Sequence, residues 1–139
     1  MITINTTKQP ALLIEFMLAA RKKAYAEGRL AGKDWIWAPD FDKLVQDMGY
    51  DLVAADGVTK VSVMGLNKNI TKAVQAFDIN LRAAGLTEDE RMQRIPRISK
   101  AMLRIKEVPD FKDSDKEIRG KQGLLSWFDN LEGLAPPNN

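Results

Sequence analysis

The amino-acid sequence predicts a mainly α-helical domain with a small β element, an α+β fold arranged as a compact bundle of about five helices plus a short strand and a β-hairpin. Three observations point there. Apolar residues recur at spacings of three and four in several segments, each closed by a glycine or a proline. Two short stretches, one at the start and one around Asp56-Gly57, show instead the alternation and turn chemistry of strands. The 139 residues contain no cysteine, so a hydrophobic core must hold the fold, and a chain of this length buries roughly two thirds of its unfolded surface without a staple. No repeat and no low-complexity tract divides it. The expectation is a single globular domain over 1–139, with an N-terminal strand or arm at 1–9 and a short tail at 133–139.

Residues 2–6, ITINT, alternate apolar and polar side chains as a half-buried strand does. Pro10 suits a first helical position, and Leu12, Leu13, Phe16, Met17, Ala20 and Ala24 make one stripe that Gly28 ends. GRLAGKDWIWAPD, residues 28–40, reads as a loop. Pro39 and Asp40 then open a shorter helix, in which Phe41, Leu44, Val45 and Met48 repeat the spacing up to Gly49. In residues 50–63, YDLVAADGVTKVSV, Asp56-Gly57 between β-branched runs predicts a hairpin, although Ala54 and Ala55 are weak strand formers.

Asn67 or Asn69 is placed to cap a long helix with Ile70, Val74, Phe77 and Leu81 on one side, stopping at Gly85. Thr87 and Glu90 make a capping box for the next helix, and Glu88 and Asp89 suit the positive end of its dipole. Pro96 would remove a hydrogen bond and clash with the preceding turn, so a kink or restart is expected. Beyond it Ile98, Ala101, Met102 and Ile105 share one side of a helix that Pro109 ends. Ser114 and Glu117 form a second capping box, leading to the amphipathic segment GLLSWFDNLEGL.

Histidine is absent as well as cysteine, which removes Ser-His-Asp and Cys-His catalysis and zinc sites as usually built. GRLAGKD, residues 28–34, lacks one residue between its glycines and has Asp34 where a phosphate loop needs Ser or Thr. DFKDSDKE, residues 110–117, resembles the opening of a calcium loop but places Ile118 and Leu124 where glycine and glutamate are required. Asp40 and Asp42, two apart at a helix start, face different directions and make a poor acid/base pair. No metal and no cofactor is expected. ALLIEFMLAA, with Glu15 inside it and three basic residues after it, is too short to span a bilayer and has the wrong charge order for a secretory signal. A cytoplasmic protein without membrane attachment is expected.

What remains is binding. Residues 91–106, RMQRIPRISKAMLRIK, carry six basic side chains and no acidic one in a chain of net charge +2, so the rest of the chain sums to −4. Arg91, Arg94, Arg97, Lys100, Arg104 and Lys106 therefore form a candidate surface for nucleic acid or an acidic partner. Arginine outnumbers lysine, which suits bidentate contacts to phosphate or carboxylate. An ordinary solvated helix face paired with nearby acids explains the same charges. A helix-turn-helix reader fits less well, because its recognition helix would begin with three acids.

Trp35 and Trp37, two apart in WIW, put two large rings on one side of an extended segment; Trp127 and Phe128 sit in the last apolar run. Such rings serve as interface anchors or as core. The leading expectation is a non-catalytic protein-binding adaptor, inhibitor or assembly component, with a protein partner or homo-oligomer. The alternative is a nucleic-acid or nucleoprotein accessory factor using the basic helix 91–106 on DNA or RNA. A carboxylate- or lysine-based enzyme is the third.

Overall fold

In the computed structural model the described residues are 1–107. They run β1 (Ile2–Asn5), α1 (Pro10–Ala26), β2 (Trp35–Trp37), α2 (Ala38–Asp47), β3 (Tyr50–Val53), α3 (Val63–Ala83), α4 (Glu88–Ala101) and β4 (Arg104–Lys106). The described residues make a mixed α+β fold, 58% of them helical, and their strands form two small sheets.

Both sheets are parallel pairs. β1 lies against β3 with Ile4 opposite Leu52, and β2 lies against β4 with Ile36 opposite Ile105. Parallel partners cannot be joined by a tight turn. Helices α1 and α2 fall between the first pair, and α2, α3 and α4 between the second. The core is the meeting point of these elements. Leu13, Met17, Ala20 and Ala24 of α1 are fully buried at helical spacing, and α1 packs along α3, whose Leu66, Ile70 and Ala73 face the same core.

The entry to α1 is built by side chains of the preceding loop. Asn5 Oδ1 accepts from the backbone N–H of Thr7 at 3.1 Å and of Lys8 at 2.9 Å, turning the chain out of β1. Thr6 is buried, donates its hydroxyl to the Val53 carbonyl at 2.7 Å and accepts from the Asn69 amide at 2.9 Å. Asn69 thus ties α3 to the first sheet and caps nothing.

Several expectations are corrected. Residues 50–63 do not form a regular hairpin. The Asp56-Gly57 turn exists, with Gly57 at positive φ and the Asp56 carboxylate accepting from the Thr59 hydroxyl and from the N–H groups of Val58 and Thr59. The returning chain nevertheless makes a single antiparallel bridge, Val53 to Lys60, on the edge of β3 away from β1, because at Ser62 it already turns into the cap of α3. α3 starts earlier than Asn67, since Ser62 caps it by accepting from Gly65 N–H at 3.0 Å.

α4 runs through Pro96 without restarting. It has no buried residue, and Met92, whose carbonyl loses its helical donor at Pro96, is 62% exposed, so the unpaired carbonyl is not shut inside the core. The helix then stops at Ala101, well before Pro109. Met102 and Leu103 turn inward, and Arg104–Lys106 alternate exposed, buried, exposed as a strand. WIW is likewise a strand and not a loop. Four helices, not five, are seen among the described residues; the Ser114 capping box and the segment GLLSWFDNLEGL lie outside them. Among the described residues no helix is long and apolar enough to cross a membrane.

Candidate interaction surface

The second sheet positions the tryptophans. In Trp-Ile-Trp every other side chain must share a face, and Ile36 takes the inner one at 0% exposure against Ile105 at 5%. Register is therefore fixed by burial, since a slip of one residue would put both indoles into the core. Arg104 N–H reaches the Asp34 carbonyl at 3.1 Å, extending the ladder by one bond. On the other side the Trp35 carbonyl accepts from Ala31 N–H at 2.9 Å, folding the glycine-rich connector back on β2. Gly32, within this fold-back, leaves room for the Trp35 indole. A Cβ at that position would lie 2.0 Å from Trp35 Nε1, so the indole rests directly on bare backbone.

The outer face carries Trp35, Trp37, Arg104 and Lys106, in register as Trp35 with Arg104 and Trp37 with Lys106. The indoles are half-buried and meet edge to face, centroids 4.8 Å apart and planes at 88°. Lys106 Nζ stands 4.5 Å from the centroid of the Trp35 ring, within cation–π reach. Neither Arg104 nor Lys106 has an ion-pair partner among the described residues. Two rigid apolar plates beside two cations can hold an apolar side chain next to a carboxylate or a phosphate.

The six basic residues of 91–106 are not one helical stripe. Arg91 is structural: its side chain is 12% exposed, its Nε donates to Asp78 Oδ1 at 3.1 Å and its NH1 to the Leu86 carbonyl at 2.8 Å, clamping α4 to the end of α3. Arg94 is exposed and donates to the Glu90 carbonyl on its own helix at 2.9 Å. Arg97 and Lys100 are exposed on α4, with no ion pair among the described residues. Arg104 and Lys106 belong to β4, because the chain leaves the helix at Met102. Trp127 and Phe128 lie outside the described residues.

The start of α4 is as the sequence reads. Thr87 N–H donates to Glu90 Oε1 at 3.0 Å, and Glu90 N–H donates to Thr87 Oγ1 at 3.2 Å. The Thr87 backbone N–H above all, and then its hydroxyl, hold the Glu90 carboxyl below the usual glutamate range.

The acids weighed for catalysis are dispersed. Asp42 pairs with Lys60 at 3.1 Å, and Asp40 lies beside Lys43 in a solvent-open hollow at the end of α1. Among the described residues no group of three acidic side chains converges as a metal site would need. Sequence reasoning misses Gly32, whose role exists only in contact with Trp35. It also misses Arg21, Lys22 and Tyr25 on α1, for which RKKAY following an apolar stripe is the signal. No protein-family model matches the chain, and comparison with curated proteins and with solved structures likewise finds no match.

Proposed function

We propose that the protein is a non-catalytic binding protein that holds an acidic segment of a protein partner on the outer face of the second sheet. The observation carrying this reading is the juxtaposition of Trp35 and Trp37 with Arg104 and Lys106 across a register fixed by the buried pair Ile36 and Ile105. Aromatic side chains supply contact area at low entropic cost, and arginine and lysine beside them select a carboxylate. The edge-to-face packing and the cation over Trp35 leave no open pair of parallel ring faces for stacked bases, which favours a protein ligand over a single strand.

The test is affinity capture from an extract of the source cells with three baits: wild type, Trp35→Ala/Trp37→Ala and Arg104→Glu/Lys106→Glu. A band taken by the first and lost by both variants, with melting temperatures within a few degrees, supports the reading. Identical capture by all three sinks it. The second reading, nucleic-acid binding, is supported by the exposure of Arg97, Lys100, Arg104 and Lys106 without ion pairs among the described residues. It requires binding to generic duplex DNA or RNA that falls with salt and disappears on Arg97→Glu/Lys100→Glu/Arg104→Glu.

A further inference from the structure

A second surface lies on the helices. α1 and α4 each pack against α3 but hardly touch one another, so a channel runs between them. Its floor is apolar: Leu18, Phe77, Ile98 and Ala101 line it, none of them fully buried. Two adjoining hollows of about 320 Å³ and 310 Å³ share Leu18 and Ala101. Among the described residues its rim is basic, with Arg21 and Lys22 on α1 and Arg94 and Arg97 on α4, and none of those lining either hollow is acidic. The Nε of Arg21 is buried without a hydrogen-bond partner among the described residues, and Tyr25 closes one end with 77% of its surface exposed.

The spacing on the two walls is the same. Leu18, Arg21, Lys22 and Tyr25 stand at i, i+3, i+4 and i+7, as do Arg94, Arg97, Ile98 and Ala101. Each wall thus presents two helical turns, about 10 Å of length at 1.5 Å per residue. Two open hollows in a row between helices are shaped for side chains one turn apart on a third helix, not for one enclosed small molecule. Nucleic acid would use the rim and leave the floor uncovered. We infer that the channel between α1 and α4 receives one amphipathic helix of a protein partner, its apolar stripe on Leu18, Phe77, Ile98 and Ala101 and its flanking carboxylates on Arg21, Lys22, Arg94 and Arg97.

This surface is separate from the tryptophan face, and its test does not depend on that reading. The probe is a synthetic peptide of about four helical turns with leucines at i, i+3, i+4 and i+7 and flanking glutamates. Its controls are the same composition scrambled, the same pattern with lysine replacing glutamate, and a duplex DNA. Backbone amide shifts of the full chain are followed during titration. The patterned acidic peptide should shift amides of residues 18–25 and 94–101 and leave 35–37 and 104–106 in place. Lys22→Glu/Arg97→Glu, two exposed positions that leave the core untouched, should weaken it about tenfold, and the lysine peptide should not bind. Equal binding of the scrambled peptide overturns the inference, as does the absence of any shift. So do shifts confined to the tryptophan face, or duplex DNA moving the channel amides when the peptide does not.

Discussion

Gly32→Ala is the most economical probe of the tryptophan face, because it alters the placement of Trp35 without removing a ring or a charge. An alanine Cβ would lie 2.0, 2.5 and 2.8 Å from three indole atoms, and Gly32 is not at positive φ, so the indole is what must move. A ring with two torsions cannot shift by more than an ångström in place; it leaves for another rotamer. It then gives up the edge-to-face contact with Trp37, about 0.5–1.5 kcal/mol, and the Lys106 contact, about 0.5–1 kcal/mol. The more restricted unfolded chain returns about 0.4–1 kcal/mol, for a net cost of about 1 kcal/mol. For a domain of this size that is a fall of about 4 °C in melting temperature. The assay is a two-dimensional amide spectrum, in which each of the three tryptophans has its own indole N–H peak, run beside a thermal melt. The Trp35 and Trp37 peaks should move and the partner captured by the wild type should be lost. Unmoved indole peaks, or retained capture with a displaced Trp35, would refute the assigned role of this ring.

Four further outcomes separate core, clamp and surface. Ile36→Ala, at the fully buried centre of the strand, should cost about 2–5 kcal/mol in urea unfolding, more than the Trp37→Ala change beside it. Arg91→Ala should cost about 1–2 kcal/mol, discounted because Asp78 faces solvent, while Arg97→Ala should cost nothing measurable; equal effects would dissolve the distinction between clamp and face. Thr87→Ala should lower stability by about 1 kcal/mol through loss of the α4 cap. The depressed Glu90 carboxyl stabilises the fold above its unfolded value, about 4.3, and loses that contribution as pH falls through its lower folded value. The melting-temperature gap between wild type and Glu90→Ala should therefore be present at neutral pH and close in acid.

Local chemistry was the part of the fold most legible in the residues. The α1 stripe apart from Leu12, which is 43% exposed, the glycine stops at 28, 49 and 85, and the Thr87 capping box are all determined by neighbours three or four positions away. What could not be read is what depends on distant partners. Tyr50–Val53 looks like half of a hairpin, and nothing local shows that its main partner is β1, about fifty positions earlier; neither WIW nor RIK, three residues each, reads as a strand without the other. The continuation of α4 past Pro96 is of the same kind, since only the exposure of that turn makes the missing bond tolerable. For the candidate site, the residue types were legible and their grouping was not. Arg104 and Lys106 looked like the last turns of the basic helix, yet a change of period at Met102 moves them beside the tryptophans. Arg91, from the same run, is spent on holding two helices together.

The pairing of β2 with β4 joins segments about seventy positions apart, across the whole of α2, α3 and α4. Loop closure over such a span comes late and slowly in folding. The indole and ammonium groups that make the outer face are distant along the chain and stand side by side only where β2 and β4 are paired. A nascent or partly denatured chain has the same side chains but not the surface, so recognition at this face would itself report that folding has been completed.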